Sequence, residues 1–387
     1  MSELKVKVQR IHEIIEHPNA DRMELAIIGG SGGWQCCVQK GAHAAGDLVI
    51  YFPVDSILPA DLEAKIFGPD AKVKHSKGRV KTIKLRGAIS QGLAVGLDTL
   101  YGYSISYNKP QLGEDLTKVL GVTKWEPPAA GSPGSGARHA TPRNMNPNFH
   151  KYTDIGHLRN YPEALAGETI LGYEKIHGTN FRAGYVPYVP YSRWEKLKHN
   201  VMGWILGVKP RWQFVYGSHN VQLQHKRNRN TGFYHDKMPS DPYERAVEQY
   251  RLREILQPGE VVYGEIYGHG IQKNYSYGCG PGEIGMVVID VQQVGPGKGN
   301  RYLDSVELVM WCNENQLDFP PIVYSGPFDM KRIEQACQGP SVLSSTQKVR
   351  EGVVIRPVKE AAGHMGRMIF KVLNPDYLMA KDNTEYH

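Results

Sequence analysis

The chain has 387 residues, enough for two domains at roughly 150 residues each. Apolar residues make up 41% and charged residues 22%, which excludes wholesale disorder, and the Gly and Pro content is too low for a collagen-like or low-complexity chain. Lys and Arg number 46 against 39 acids, a net charge of +7, which permits a polyanionic partner without requiring one.

Short strands dominate the first third. Leu4 to Ile15 alternates loosely, Glu24–Ile28 runs into a Gly-rich turn, and Trp34–Val38, Asp47–Val54, Val80–Leu85 and Gly92–Leu97 follow. Five or six such strands in about 120 residues predict a small closed or half-closed barrel. Between positions 72 and 86 stand seven Lys and Arg (Lys72, Lys74, Lys77, Arg79, Lys81, Lys84, Arg86) and no acid. The run reads either as an edge strand kept soluble by charge or as a surface that tracks phosphates.

Residues 127–147 hold Pro, Gly, Ser or Ala at 14 of 21 positions, so a linker is expected over 121–150 between a module at 1–120 and a domain at 151–387. Beyond it, strand-like runs (Thr169–Tyr173, Arg182–Val186, Gln213–Tyr216, Val261–Tyr267, Gly285–Val291, Gly352–Val358, Met368–Leu373) alternate with helical spacing over Arg193–Leu206, Pro242–Leu256 and Tyr302–Asn315. The pattern predicts an α+β domain. No apolar run approaches the roughly 20 residues of a membrane helix, and Met1–Lys5 lacks a signal-peptide core. The five cysteines (Cys36, Cys37, Cys279, Cys312, Cys337) include no C-x-x-C pair. An intracellular, cytoplasmic setting without disulfides or a membrane is expected.

Three strands each carry one ionisable group among apolar neighbours: Glu265 in Val262–Gly268, Glu351 at the mouth of Gly352–Arg356, and Lys371 in Met368–Leu373. Glu174-Lys175-Ile176-His177-Gly178-Thr179-Asn180 follows another apolar strand. A buried charge is costly unless paired or bound to a ligand, so these strands point to one shared polar site. Taken singly, each is an ordinary rim or edge residue.

The ordered set Lys175-x-His177-Gly178, Gly217-Ser218-His219-Asn220, Tyr263-Gly264-Glu265, Glu351-Gly352-Val353-Val354-Ile355 and Phe370-Lys371 resembles the covalent nucleotidyltransferase superfamily, which joins ATP-dependent RNA and DNA ligases with mRNA capping enzymes. Glu174–Phe181 is similar to its RNA ligase branch, and residues before about 120, with Leu85–Leu93 among them, resemble the N-terminal OB-like module of one RNA ligase clade. Only 16 residues follow Lys371, too few for the barrel that DNA ligases and capping enzymes place there. The resemblance implies an α+β protein: an N-terminal OB-like β-barrel, then a nucleotidyltransferase domain of the ATP-grasp-like DNA/RNA ligase type, with antiparallel sheets and flanking helices.

The resemblance also implies roles. Lys175 attacks the α-phosphorus of ATP and holds AMP, AMP passes to an RNA 5′-phosphate, and an RNA 3′-OH then displaces it. Lys371 touches the α-phosphate as the second catalytic lysine. Glu174, Ile176, Asn180, Glu265 and Val288 (or Ile289) line the ATP site with Lys175 and Lys371. Glu265 and Glu351 hold Mg²⁺ or Mn²⁺, with His177 through water. Apart from the resemblance, Lys81, Lys84 and Arg86 of the basic run are read as RNA contacts, and Lys226, Arg227 and Arg229 past the second motif read either as RNA contacts or as a solvated loop. The RNA is expected as ends held in a nicked duplex and joined in RNA repair. A monomer is the default.

The chain departs from many relatives at His177, Asn180 and His219, lacks an aromatic ring at 286–289 to stack on the base, and has one lysine where many have Lys-x-Lys. Capping or DNA sealing on the same fold, and a non-catalytic RNA-binding protein, are the alternatives.

Overall fold

The computed structural model describes residues 4–68, 78–102, 110–125, 145–190, 212–223, 241–295, 300–363 and 366–379, with positions 194, 197, 201 and 203. Its first module is a sheet ordered β3-β2-β1-β4-β8, formed by β1 (Lys7–Glu16), β2 (Met23–Ile28), β3 (Trp34–Gln39), β4 (Leu48–Phe52) and β8 (Leu93–Gly96). All neighbours are antiparallel. A register shift in β1 between Ile11 and Glu13 curls the sheet. The Gln91 amide donates to the Gln35 carbonyl at 2.7 Å, so the far side of the sheet returns to β3 and the barrel nearly closes.

Short β5 (Ser56–Ile57), β6 (Ile83–Leu85), β7 (Ala88–Ser90) and β9 (Thr123–Lys124) complete the module. Helix α1 (Ala60–Phe67) plugs one end with fully buried Leu62. No clear periodicity marks this helix among residues 60–67. Leu116, Leu120 and Val122 belong to the same core as Val8, Ile50 and Phe52, so the module's packing continues past position 120.

The second module contains two sheets. The first is ordered β10-β22-β19-β11-β18, from β10 (Gly156–His157), β11 (Thr169–Lys175), β18 (Ile322–Pro327), β19 (Gly352–Pro357) and β22 (Phe370–Leu373). The second is ordered β14-β13-β12-β15-β16-β17, from β12 (Thr179–Pro187), β13 (Trp212–Ser218), β14 (Gln222–Leu223), β15 (Glu260–Gly268), β16 (Ile284–Gln293) and β17 (Arg301–Tyr302). A small hairpin pairs β20 (Ala362–Gly363) with β21 (Gly366–Arg367). Packing begins by Asn146, whose side chain donates to the Pro187 carbonyl, inside the span read as linker.

The helical stretch over 242–256 is two helices, α2 (Pro242–Gln249) and α3 (Leu252–Ile255). Arg251 between them takes φ 50°, a left-handed conformation no α-helix continues through. Helix α4 (Ser305–Glu314) starts at an Asp304–Glu307 capping box. Helices α5 (Met330–Cys337) and α6 (Pro375–Met379) escaped the sequence reading. Of the tryptophans between 187 and 212, Trp194 is 73% exposed, Trp212 is half-buried, and Trp204 lies outside the described residues. No described helix is long and apolar enough to cross a membrane.

Between the two sheets lies a charge cluster that the sequence reading missed, with Arg356 and Tyr152 reaching the lining of a cleft. Fully buried Asp290 on β16 accepts from Arg356 of β19 at 3.1 Å, from Arg367 of β21 at 2.7 Å and from the Tyr152 hydroxyl at 3.0 Å. It ties the two sheets together.

Candidate active site

Lys175 is the last residue of β11, and Thr179 is the first of β12. The turn between them carries the chain from one sheet to the other. Gly178 has no alternative in that turn, because a Cβ there would run into the Ile266 carbonyl oxygen and crowd Glu265. Gly352 is fixed in the same way by the Val372 carbonyl. The motif glycines are therefore places where two strands touch, and each brings a motif carboxylate toward Lys175.

The groups converge on a cleft of about 1120 Å³ between the two modules. Lys175 Nζ lies 2.7 Å from Oε1 of fully buried Glu351, and His177 Nδ1 is 3.6 Å from the other oxygen. Burial alone would push the Glu351 carboxyl up; Lys175 foremost, then His177, outweighs it and holds the group at about 2. Neither oxygen has a fully aligned hydrogen bond among the described residues, so the ion pair is what compensates the charge. Glu265 shows the opposite balance. Burial, with Glu351 adding to it, pushes its carboxyl up to about 8 despite Lys175 and the Gly178 amide. Two neighbouring carboxylates are thus driven apart in pKa, as one cationic partner cannot satisfy both.

Pairing registers decide which side chains face the cleft. Lys371, Val354 and Tyr173 lie side by side across β22, β19 and β11 and line it. Asn180 pairs with Glu265, lines it too, and has a buried, unpartnered Oδ1. Ile176 forms part of its apolar wall.

Two residues stand differently from expectation. Glu174 alternates to the other face of β11, where its carboxylate accepts from the Val342 and Leu343 amides at 2.7 and 3.2 Å. That oxygen anchors a loop, while Oε1 is buried without a hydrogen-bond partner and the residue counts among those lining the cleft. Val288 is fully buried in the core with Phe181 and Met286. The cleft is lined instead by Ile289, because β16 bulges. Val288 pairs with Gly264 and Asp290 with Tyr263, leaving Ile289 unpaired and turned inward.

His177 is less available for a metal water than expected. Tyr275 and Tyr377 meet its ring edge-on at 4.7 and 5.4 Å, the Tyr377 hydroxyl lies 3.2 Å from Nδ1, and its own amide donates to the Tyr277 hydroxyl. His219 lines the cleft and sits 3.6 Å from Asp154. Lys81, Lys84 and Arg86 are exposed on and beside the β6–β7 hairpin, away from the cleft lining. Lys226, Arg227 and Arg229 lie outside the described residues.

The sequence reading missed His157 and the first module's share of the wall. His157 is paired in register with Lys371, and Trp34 packs on its ring at 4.5 Å. Trp34 Nε1 donates to Asn160 at 2.9 Å. Arg159 donates to the Gly32 and Gly33 carbonyls and pairs with Glu334 of α5. Only the loose alternation of residues 4–15 hinted at a face of the barrel turned to the site.

A family model for RNA ligase matches residues 168–373, more than half of the chain, and a model for an OB-fold domain matches residues 5–97. The chain belongs to the RNA ligase family. Among solved structures, this RNA ligase is similar to Naegleria gruberi RNA ligase variants with ATP and Mn (TM-score 0.68, 21% identity, 96% of this chain and 98% of that one) and with AMP and Mn (0.68, 21%, 96% and 97%). The same enzyme with PPi matches with a TM-score of 0.68 and 21% identity, covering 97% of this chain and 98% of that one. At that identity the likeness concerns the fold: an OB-like barrel followed by a nucleotidyltransferase domain. Among curated proteins none matches.

Proposed function

We propose that this RNA ligase joins RNA 3′-OH and 5′-phosphate ends in an ATP-dependent reaction that passes through AMP bound covalently to Lys175, and that it serves RNA repair at nicked duplexes. The observation that carries the reading is the placement of Lys175 Nζ in the cleft beside Glu351, with Glu265 and Lys371 on the surrounding wall.

In the first step the Lys175 ammonium releases a proton to water in the cleft. The amine forms a P–N bond to the α-phosphorus while the bond to pyrophosphate breaks, and the nitrogen's remaining extra proton leaves to water or to the pyrophosphate. Glu351 holds the amine's position through the pair and is ionised for that purpose throughout the neutral range. Lys371 reaches the α-phosphate oxygens and offsets charge that develops there. Ile289, Ile176 and Val354 close apolar surface over the base, so the site seats a purine by contact without ring stacking. The RNA 5′-phosphate oxygen then takes AMP from Lys175, which restores the amine, and the 3′-OH attacks that phosphate and releases AMP.

The donor set fits a divalent cation. Glu265 and Glu351 offer carboxylate oxygens, and Glu265 is held at about 8 for want of a countercharge. No group of three or more His, Cys, Asp and Glu converges as a metal cage among the described residues, so Glu265 and Glu351 would hold Mg²⁺ or Mn²⁺ with water and phosphate completing the shell. When bound, the cation neutralises crowded phosphate oxygens and orients the leaving group.

The test is the intact mass after exposure to ATP and Mg²⁺ or Mn²⁺, followed by sealing of a nicked RNA duplex. One AMP should be retained with ATP and none with GTP, and Lys175→Ala should retain none. AMP attachment that survives Lys175→Ala removes Lys175 from the role.

A further inference from the structure

The basic run at 72–86 drew attention in the sequence, but another set of lysines faces the cleft. Lys5, Lys7 and Gln9 line it, alternating with fully buried Val6 and Val8, so the three share the outer face of one extended segment. Lys124 of β9 lines the same wall. Lys7 pairs with Tyr51 of β4 on one side, and the Val8 amide donates to the Glu114 carbonyl on the other. This segment is therefore not a free edge, and protection of an exposed edge does not explain its lysines. That explanation does suit Lys84, which lies in a two-stranded hairpin.

Three acids stand near this wall. Asp55 is bound by Arg79 at 2.9 and 2.6 Å, and Asp154 lies beside His219. On the flank, burial pushes Asp115 up, but Thr117 and then Lys5 and Lys7 outweigh it and lower its pKa, so one carboxylate partly answers the lysine charge. The rings this module turns to the cleft, Trp34 and Tyr51, are 5% and 4% exposed and are committed to packing, and the half-buried Trp125 beside Lys124 is covered by Arg79 at 3.4 Å.

We infer that Lys5, Lys7 and Lys124 form the first module's contact with the phosphate backbone of the RNA, holding a strand across the cleft opposite Lys175, while Lys81, Lys84 and Arg86 do not. The inference rests on the RNA-sealing reading above. A wall of lysines without accessible rings binds backbone charge and is indifferent to base sequence.

Binding of a nicked RNA duplex by fluorescence anisotropy across a salt series tests it, since each lost phosphate contact lowers the slope of log K against log salt by about 0.9. Lys5→Ala/Lys7→Ala/Lys124→Ala should lower the slope by about 2 to 3 and weaken sealing, while AMP attachment keeps its ATP dependence. The corresponding Arg variants should restore binding. Lys81→Ala/Lys84→Ala/Arg86→Ala should leave the slope unchanged. An unchanged slope in the first variant, or its transfer to the second, overturns the inference. So does a raised ATP requirement for AMP attachment, which would assign these lysines to the triphosphate. Lysine acetylation of the unaltered protein needs no variant: the RNA duplex should shield Lys5, Lys7 and Lys124, and labelling that RNA does not change would refute the contact. Failure of AMP attachment itself would strike the sealing reading instead, because shielding does not depend on catalysis.

Discussion

Replacing Lys175 with methionine keeps the length of the side chain and removes the charge that compensates Glu351. The carboxylate is fully buried, its two oxygens lack aligned hydrogen bonds, and a further neighbour is the His177 ring at 3.6 Å. In the wild type the group is depressed from 4.5 to about 2, a difference that corresponds to about 3 kcal/mol. That stability is present above the unfolded value near 4.5 and is lost as pH falls toward 2. In Lys175→Met the carboxylate is left unpaired, at a penalty of about 3–5 kcal/mol at pH 7.5. Burial then raises its pKa, so protonation relieves the penalty as pH falls toward 5, where the wild type is still paired. Urea denaturation at pH 7.5 and pH 5 should show the loss at the higher pH and a smaller one at the lower. Lys175→Met/Glu351→Gln should recover most of it, because the buried charge is gone. A loss below about 0.5 kcal/mol at pH 7.5, or one independent of pH, would refute the argument that the pair balances a buried charge.

Glu265→Gln reads the neighbouring carboxyl in the opposite sense. Its raised pKa means stability is lost as pH climbs from 4.5 toward about 8. That span corresponds to about 5 kcal/mol, and contact with the open cleft reduces it to about 2–3 kcal/mol. The variant should therefore gain thermal midpoint over the wild type from pH 6 to pH 9 without a divalent cation, and a gap that fails to widen counts against the assignment. Glu174→Ala should release the Val342 and Leu343 amides at about 1–3 kcal/mol with nucleotide affinity nearly unchanged; a selective loss of affinity would return the carboxylate to the adenine. Arg159→Ala should loosen the docking of the two modules by about 2–3 kcal/mol, visible as a larger radius of gyration by small-angle scattering. No change in size would mean that Trp34 and Asn160 suffice.

The motifs were legible because each is local. Lys175 through Gly178 lies within one turn, and the two glycines are demanded by carbonyls that close in on them. Glu265, Glu351 and Lys371 stood out because a charge in an apolar strand has few reasons to be there. What escaped depends on pairing between distant segments. The choice of Ile289 over Val288 turns on one bulge, and a slip of one residue changes which face a side chain occupies. The destination of the Glu174 carboxylate depends on a loop 168 positions away. The basic run at 72–86 was conspicuous by density, whereas Lys5 and Lys7 were two among several charges near the start of the chain, and only the position of β1 inside its sheet sets them apart.

The Asp290 cluster ties the pocket's shape to ion pairs whose outer members, Arg356 and Tyr152, form part of its lining. Lys175 and Lys371 ride on one sheet, Glu265 and Ile289 on the other, and Arg356 and Arg367 clasp Asp290 between them. The gape between amine and carboxyl is therefore inherited from this rivet, and a change as slight as Asp290→Asn would surface as a defect in catalysis.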